Sequence, residues 1–542
     1  MEVSLTDDKY VLAFPYDPKL IEFCKNLQQA RYNPKERHWT ATRNVPNAID
    51  LHAQGFYSDS EMLDRRPART SGTDGFHWSL KCDPYQHQRD FEQWATHRAR
   101  ALLAADMGTG KTLMALQWLA VHGVFPERVL VVCPTSLIHN WVAEIRKFCG
   151  IEAIGVVGSP LKRIELARRP GLHVINYEYF AINQTIRQEF EGKRAMILDE
   201  SHKIKNPQAH RSKILHESGT AVPYVLLLTG TPVSQGAQDY YSQFKVVEPK
   251  LLGSSFTAFK ARYCEQEAVR GAPPGVKKIV GYKRLDELNK LIAPFTHTIR
   301  KSECLDLPKK VYTQRFVELG VDQRNFYNKL KREMAAWING DETKEPVTAA
   351  NVLTRLLRLS QVAQGFVSTG EEIDNKVAIH KFESNPKLDC LGEILDEMPE
   401  GESFVIMCRF RQDIDNVSGL LEKRGIKGYV IDGRTPMERR QECVDDFQAG
   451  RVQALVGQIQ VAGLGLNMTR AEKMIFFSND YSLVNRLQAE DRIHRIGATG
   501  DHCLYIDITA INTVDEHVTE ALTSKREVAE YLTVMRQHVL ED

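Results

Sequence analysis

The sequence contains no Cys-x-x-Cys pair; its ten cysteines, at positions 24, 82, 133, 149, 264, 304, 390, 408, 443 and 503, are scattered along 542 residues. That spacing excludes a zinc ribbon, speaks against a disulfide framework, and fits a reducing compartment. An excess of one charge is missing too, since 71 Lys+Arg face 70 Asp+Glu for a net charge of +1. An anionic polymer would therefore have to be met by a local patch, not by the field of the whole molecule. Long apolar runs are absent: stretches such as Val129 to Cys133 have strand length. The opening Met1-Glu2-Val3-Ser4-Leu5-Thr6-Asp7-Asp8 is acidic and has no apolar h-region. A soluble intracellular protein is expected, cytoplasmic or nucleoid-associated (nuclear in a eukaryote), without a membrane partner. Neither an internal repeat nor a metal-nuclease constellation is apparent.

What is present is a double series of short apolar runs. A chain of this length has room for about three or four domains. Ala101 to Ala105, Val129 to Cys133, Leu172 to Ile175, Ala195 to Leu198 and Tyr224 to Leu228 read as buried strands separated by helical-period stretches, the pattern of a doubly wound α/β sheet. A second series follows Pro386, with strands at Ser403 to Cys408, Gly428 to Ile431, Ala454 to Val456 and Met474 to Phe477 and a helix over Pro436 to Gln448. Between the two, Phe256 to Glu383 is rich in Lys, Glu and Leu at helical spacing and is broken by Gly271-Ala272-Pro273-Pro274-Gly275 and by Asn339 to Pro346, which predicts a helical insertion. Val11 to His52 forms a small α/β module, and Tyr57 to Thr73, with Asp64-Arg65-Arg66-Pro67, reads as a linker.

Chemistry concentrates at the ends of these strands. Gly108-Thr109-Gly110-Lys111-Thr112 follows the strand Ala101 to Ala105 and opens a helical stretch, the context in which glycine-rich loops cradle phosphates. Lys111 would neutralise the β- and γ-phosphates of ATP, and the Thr112 hydroxyl would ligate Mg²⁺. Ala105 stands where the strict phosphate-loop pattern has glycine. The strand Ala195 to Leu198 runs into Asp199-Glu200-Ser201-His202, paired acids at the carboxyl edge of a sheet. There Asp199 would hold Mg²⁺, and Glu200 would deprotonate the attacking water. Gln86, in Tyr85-Gln86-His87-Gln88, offers a donor and an acceptor to an adenine edge. Leu228-Thr229-Gly230-Thr231-Pro232 carries two hydroxyls able to bond those acids, and a tight turn explains it equally well. Near the far end, Gln488-Ala-Glu-Asp-Arg-Ile-His-Arg-Ile-Gly497 spaces Arg492 and Arg495 at (i, i+3), on one face if the segment is helical. The bland alternative is a solvated helix with Asp491 as salt-bridge partner.

Over roughly Cys82 to Leu522 these motifs resemble, in content and order, a Swi/Snf-type ATPase of helicase superfamily two. Asp199-Glu200-Ser201-His202 continues as Lys203-Ile204-Lys205-Asn206, and Ile299-Arg300-Lys301 with Asp306-Leu307-Pro308-Lys309 is similar to the family's closing segment of the first lobe. Asp432-Gly433-Arg434 with Arg439-Arg440, then Ala462-Gly463-Leu464-Gly465-Leu466-Asn467, then the Gln488 decapeptide correspond to the second-lobe motifs. Two departures appear: Tyr481-Ser482-Leu483-Val484-Asn485 replaces an aromatic-Asn-Pro element, and Ala498 stands where glutamine is usual. The resemblance implies α/β architecture with two RecA-like parallel-sheet lobes, a helical insertion between them and a small N-terminal α/β module. It makes Arg492 and Arg495 arginine fingers acting on a nucleotide held by Gln86, Gly108, Thr109, Gly110, Lys111, Thr112 and Asp199, and puts Gly465 in the loop that couples the DNA track to that nucleotide. Phe14-Pro15-Tyr16-Asp17, Tyr32-Asn33-Pro34 and Trp39 resemble the HARP module of annealing helicases of the SMARCAL type, though Trp39 also suits an unrelated module's core.

The boundaries expected are a HARP-like module over 1–60, a linker over 61–80, lobe 1 over 81–255, the helical insertion over 256–384, lobe 2 over 385–522 and a C-terminal helix over 523–542. By this resemblance the chain is a DNA-dependent ATPase using ATP and Mg²⁺, a monomer that moves along double-stranded DNA and remodels or reanneals forks. Thr135, Ser136, Arg409 and Arg434, each following a strand, are the candidate phosphate-backbone contacts. Rivals are a chromatin remodeller or protein-displacing motor, the motor of a restriction or defence assembly, and a DNA-binding scaffold without hydrolysis. Intact Lys111, Thr112, Asp199, Glu200, Arg492 and Arg495 oppose the last.

Overall fold

A computed structural model of the chain describes residues 1–6, 8–63, 75–230, 232–233, 236–268, 277–304, 307–338, 349–373, 376–460, 466–495, 498 and 500–524. The chain divides into two compact units, Met1–Cys304 and Leu305–Arg526. Gly465, most of the 61–80 linker and nearly all of the expected 523–542 helix lie outside the described residues.

The first unit is built on a seven-stranded sheet in the order Thr296–Ile299, Arg100–Ala105, Tyr224–Thr229, Ala195–Asp199, Val129–Cys133, His173–Asn176, Ile154–Gly155. Every pairing in it is parallel. Helices cover both faces, so Val129–Cys133, Ala195–Asp199 and Tyr224–Thr229 are buried throughout, which is why they read as unbroken apolar runs. The two-residue strand period sorts their side chains into separate cores. Leu102, Val132, Leu198 and Leu227 enter one cluster, and Leu103, Val131, Ile197 and Leu228 the other.

The amino-terminal module has its own four-stranded antiparallel sheet, ordered Glu2–Leu5, Lys9–Ala13, His38–Thr42, Arg31–Asn33. Its helices Pro18–Asn26 and Val45–Ala53 each begin at a side-chain cap, Asp17 and Asn44, with proline in the first turn. Tyr10, Leu12, Cys24, Leu27, Ala41, Ala48 and Leu51 close a separate small core. Arg262, only 10% exposed, ties this module to the helices behind it by reaching Asp50 at 2.7 Å and Glu287 at 2.6 Å.

The second unit repeats the design with a six-stranded sheet ordered Lys309–Val317, His502–Ala510, Lys473–Phe476, Phe404–Cys408, Ala454–Gln458, Gly428–Ile431, again parallel throughout. The 256–384 region is helical in part, with Phe256–Tyr263, Leu285–Ile292, Val321–Ile338 and Ala349–Ala363. It also supplies strands that periodicity did not reveal: the hairpins Cys264–Ala268/Lys277–Tyr282 and Phe366–Ile373/Lys376–Lys381, and one edge strand for each large sheet. Of Lys309–Val317 only Val317 is buried; Val311, Tyr312 and Phe316 are exposed, so its apolar residues follow neither the run nor the alternation that reveals a strand. Among the described residues no helix is long and apolar enough to cross a membrane.

The second unit buries a carboxyl, Asp413, in its interior. It is fully buried, accepts from the Ser478 hydroxyl at 2.5 Å and from Phe410 N at 3.3 Å, and its Oδ1 has no hydrogen-bond partner. Burial pushes its carboxyl up to about 7. Between the unfolded carboxyl value and that folded one, the native state binds more protons, so stability falls as pH rises through the window and is flat above it. In a thermal melt the parent chain is expected to lose Tm between about pH 4 and pH 7, and Asp413→Asn should flatten that decline. An unchanged slope would show that Asp413 is ionised in the native state.

Candidate active site

The loop after Arg100–Ala105 has a backbone that side-chain-bearing residues resist: φ is +83° at Gly108 and +87° at Gly110. Gly110 is also the N-cap of the helix Lys111–His122, where no side chain caps the first turn. The opening N–H groups of that helix have no intrahelical acceptors, and this leaves an electropositive cradle matched to phosphate. Lys111 Nζ reaches back to the Ala105 carbonyl at 3.0 Å and the Asp106 carbonyl at 3.4 Å. Thr109 Oγ1 donates to Asp106 O at 2.8 Å. The segment Ile299-Arg300-Lys301 braces the loop from beneath: Asp106 N donates to Ile299 O at 3.0 Å, and Lys301 N donates to the Asp106 carboxylate at 3.0 Å.

Gln86 begins the helix Gln86–Ala95, and its exposed amide donates to Asp90 at 2.8 Å. The glutamine that touches the loop is Gln88, whose Nε2 donates to Thr109 O at 3.1 Å, with His87 Nε2 2.9 Å from the same carbonyl. A Cβ on Gly110 would collide with Gln88 Nε2. The flexible amide can retreat, but the left-handed backbone remains at a cost of about 1–2 kcal/mol. Gly110→Ala should accordingly weaken binding of a fluorescent adenine nucleotide by about tenfold or more, and an unaltered Kd would remove this loop from the binding site.

Asp199 ends a strand that is separated from the loop's own by one strand, Tyr224–Thr229. Both its oxygens are engaged: Oδ2 accepts from Trp141 Nε1 at 2.8 Å and Oδ1 from Glu200 N at 2.9 Å. Burial, then the neighbouring Glu200 charge, raises its carboxyl to about 7, and Lys111 opposes that rise. Lys111 and the acid pair thus share one electrostatic environment. Glu200 sits at φ +53°, an outlier for a residue with a side chain and the kind of local strain that accompanies function. Its Oε2 lies 3.2 Å from His202 Nδ1. Thr112 and Asp199 offer one hydroxyl and one carboxylate, hard oxygen donors of the number Mg²⁺ takes from protein when phosphates and water complete its shell. Among the described residues no three His, Cys, Asp or Glu side chains gather as an all-protein metal cage.

Thr229 is fully buried, and Thr231 lies outside the described residues. Ser201, next to the acids, is linked to this strand end through Gln243, which accepts from Ser201 Oγ at 2.8 Å and donates to Pro232 O at 2.8 Å. Gln88, Trp141 and Gln243 were missed from sequence because each acts across a long separation; only a second amide two residues after Gln86 hinted at the first.

The expected helical face for Arg492 and Arg495 does not form. The helix Leu483–Glu490 stops at an Asp491 C-cap, and Arg492 N and Ile493 N then close tight turns onto Ala489 O at 3.0 Å and Glu490 O at 3.3 Å. Buried Glu490 fixes this stop: Arg486 at 2.8 Å, Lys310 at 3.1 Å and the Tyr312 hydroxyl at 2.8 Å all converge on its carboxylate. Met468 N donates to Arg492 O at 3.0 Å, which pins the turn. Arg492 is fully buried and Arg495 half-buried.

Of the candidate backbone contacts, Thr135 lies in the short turn Thr135–Leu137 and accepts from Asn176 Nδ2 at 2.9 Å. Arg409 reaches Ser360 Oγ at 3.3 Å. Arg434 is engaged by Asp432 at 2.6 Å and Asp415 at 3.1 Å, so its charge is largely balanced locally.

A model of the SNF2-related domain matches residues 87–365, and one of the helicase conserved C-terminal domain matches 386–497. The chain is 28% identical over 461 residues to a chromodomain-helicase-DNA-binding protein 1-like of Danio rerio, covering 81% of this chain and 43% of that protein. It is 26% identical over 495 residues to an uncharacterised ATP-dependent helicase of Mycoplasma genitalium, covering 87% and 45%. A solved Sulfolobus solfataricus SWI2/SNF2 ATPase core in complex with dsDNA aligns at 24% identity and a TM-score of 0.39, covering 86% of this chain and 96% of that one. The chain thus spans less than half the length of these curated relatives. With the SNF2-related model matching just over half of its residues, and a helicase C-terminal domain following in order, the protein belongs to the SNF2-related family.

Proposed function

We propose that this protein is an ATP-dependent translocase on double-stranded DNA, acting as a monomer, and that it remodels or reanneals forked DNA. The observation that carries the ATPase reading is the Lys111 ammonium, on its glycine-rich loop, lying beside Gly230 at the end of Tyr224–Thr229, the strand whose Leu228 pairs with Asp199. In this reading the N–H groups of Gly108 to Thr112 cradle the phosphates, and Lys111 offsets charge on the departing γ-phosphate. Glu200 accepts the proton of the attacking water. Thr112 and Asp199 would hold Mg²⁺, which would supply neutralisation of the phosphate charge. Gln86 is proposed to read the adenine edge, Gly465 to couple DNA to nucleotide, and Arg492 and Arg495 to stabilise the transition state.

The fork preference is supported by the amino-terminal module. It closes a core of its own yet leaves Tyr16 86% and Tyr32 49% exposed, and exposed rings are platforms for unpaired bases. Tyr32 packs on Trp39 at 5.5 Å between ring centroids, so Trp39 supports that ring as well as the module's core. ATP hydrolysis measured with no DNA, single strands, plain duplex and forked duplex tests both levels. Absence of any DNA stimulation would sink the translocase reading. The Tyr16→Ala, Tyr32→Ala double variant should lose about tenfold or more of its fork remodelling, at about 1–3 kcal/mol per stacked base, while keeping duplex-stimulated hydrolysis. An unchanged fork-to-duplex ratio would count against the module's role.

A further inference from the structure

Two independent contact routes join the Thr135 turn to Asp199, and both are internal to the first unit. The first runs through the helix Ile138–Cys149, which continues directly from the turn Thr135–Leu137. Trp141 lies in the opening turn of that helix, 1% exposed, and its indole N–H ends on Asp199 Oδ2 at 2.8 Å. The second passes through the neighbouring strand end. Asn176 Nδ2 holds Thr135 Oγ1 at 2.9 Å, and the next residue, Tyr177, fully buried, donates its hydroxyl to the Asp199 carbonyl at 2.7 Å. Sheet order makes this possible, because Val129–Cys133 lies between Ala195–Asp199 and His173–Asn176. The turn that leaves the central strand is therefore flanked by residues from both neighbours.

We infer that Trp141 is a positioning residue: it sets the Asp199 carboxylate for its metal and, with Asn176 and Tyr177, makes that setting respond to a DNA backbone seated on the Thr135–Ser136 turn. This rests on the proposed roles of Asp199 and of the Thr135 turn. The physical basis is the rigidity of a packed interior. A shift of the Thr135–Leu137 turn moves the helix that follows it, and an indole held by the core transmits the shift to the one carboxylate oxygen that it bonds. Phenylalanine would fill most of the same space and remove only the donor, so hydrogen bond and packing can be separated. Asn176→Ala cuts the second route and leaves the indole bond in place.

The test uses the full chain, ADP and Mn²⁺, an ion suited to the same oxygen donors, with free Mn²⁺ read by electron paramagnetic resonance with and without plain duplex. The parent chain is expected to bind Mn²⁺ with ADP more tightly when duplex is present. Trp141→Phe should bind it about tenfold more weakly and lose the response to duplex, the scale seen when partners of metal ligands are removed. Its affinity for ADP in EDTA and its melting temperature should stay near those of the parent. Asn176→Ala should lose the duplex response while still binding Mn²⁺ more tightly than Trp141→Phe. Parent-like Mn²⁺ affinity and duplex response in Trp141→Phe would overturn the inference and leave the ATPase reading standing. A parent chain whose Mn²⁺ affinity ignores duplex would overturn the coupling; if its ATP hydrolysis ignored duplex too, the translocase reading would fall with it.

Discussion

Glu200→Gln is expected to reduce DNA-stimulated ATP hydrolysis by about 10³-fold, in the middle of the range for a positioned general base, while nucleotide binding persists. The substitution keeps the size and shape of a side chain that is 7% exposed, so the fold should tolerate it. It removes the ability to take a proton, together with the charge that helps raise the Asp199 carboxyl. The left-handed backbone at Glu200 is already part of the native chain, and glutamine adds no new strain there. Lys111→Ala provides the contrasting result. Its ammonium bridges two carbonyls of the phosphate loop and would meet the phosphates in ground and transition states alike, so binding and hydrolysis should both fall. Phosphate release and fluorescent-nucleotide titration on the two variants separate these outcomes. Glu200→Gln turnover within about tenfold of the parent would mean that another group takes the proton.

The strands that place this chemistry were legible because they are buried on both faces. Val-Leu-Val-Val-Cys at 129–133 and Tyr-Val-Leu-Leu-Leu-Thr at 224–229 leave no surface position to break the apolar run. The glycine-rich loop and the acid pair stood out as candidates for a different reason: their functional groups are adjacent in sequence, so spacing alone suggests the chemistry. What could not be read was whatever depends on distant partners. The Trp141 indole meets a carboxylate 58 positions away, and Ser201 meets Gln243 42 positions away. Nothing near Trp141 distinguishes an indole that fills a core from one that also orients an acid. The edge strand Lys309–Val317 was hidden because its apolar residues, Val311, Tyr312, Phe316 and Val317, neither alternate nor form one run, and all but Val317 are exposed. The end of the helix at Glu490 was hidden because its cause is tertiary. Three donors from two elements converge on one buried carboxylate, and local propensity cannot register that.

That unforeseen stop makes the two arginines separable, whereas one helical face would have made them equivalent. Arg495→Ala should leave nucleotide binding and melting temperature close to the parent and lower hydrolysis by about 10³- to 10⁵-fold, the span attributed to an arginine that meets charge only in the transition state. Arg495→Lys should not restore it, since an ammonium lacks the planar fork that matches a phosphoryl group. Arg492→Ala should lose hydrolysis and also melt lower. Its side chain is fully buried, and truncating so large a buried side chain leaves a cavity. Glu490→Gln tests the platform that both share. With its charge gone, Arg486 at 2.8 Å and Lys310 at 3.1 Å lose their common partner, and the turn should hold both arginines less firmly. Hydrolysis should then fall by less than in Arg495→Ala, because the guanidinium groups remain and only their placement suffers. Parent-like DNA-stimulated turnover in both arginine variants would reduce the pair to structural cations, and the search for the transition-state arginine would have to move elsewhere in the second unit.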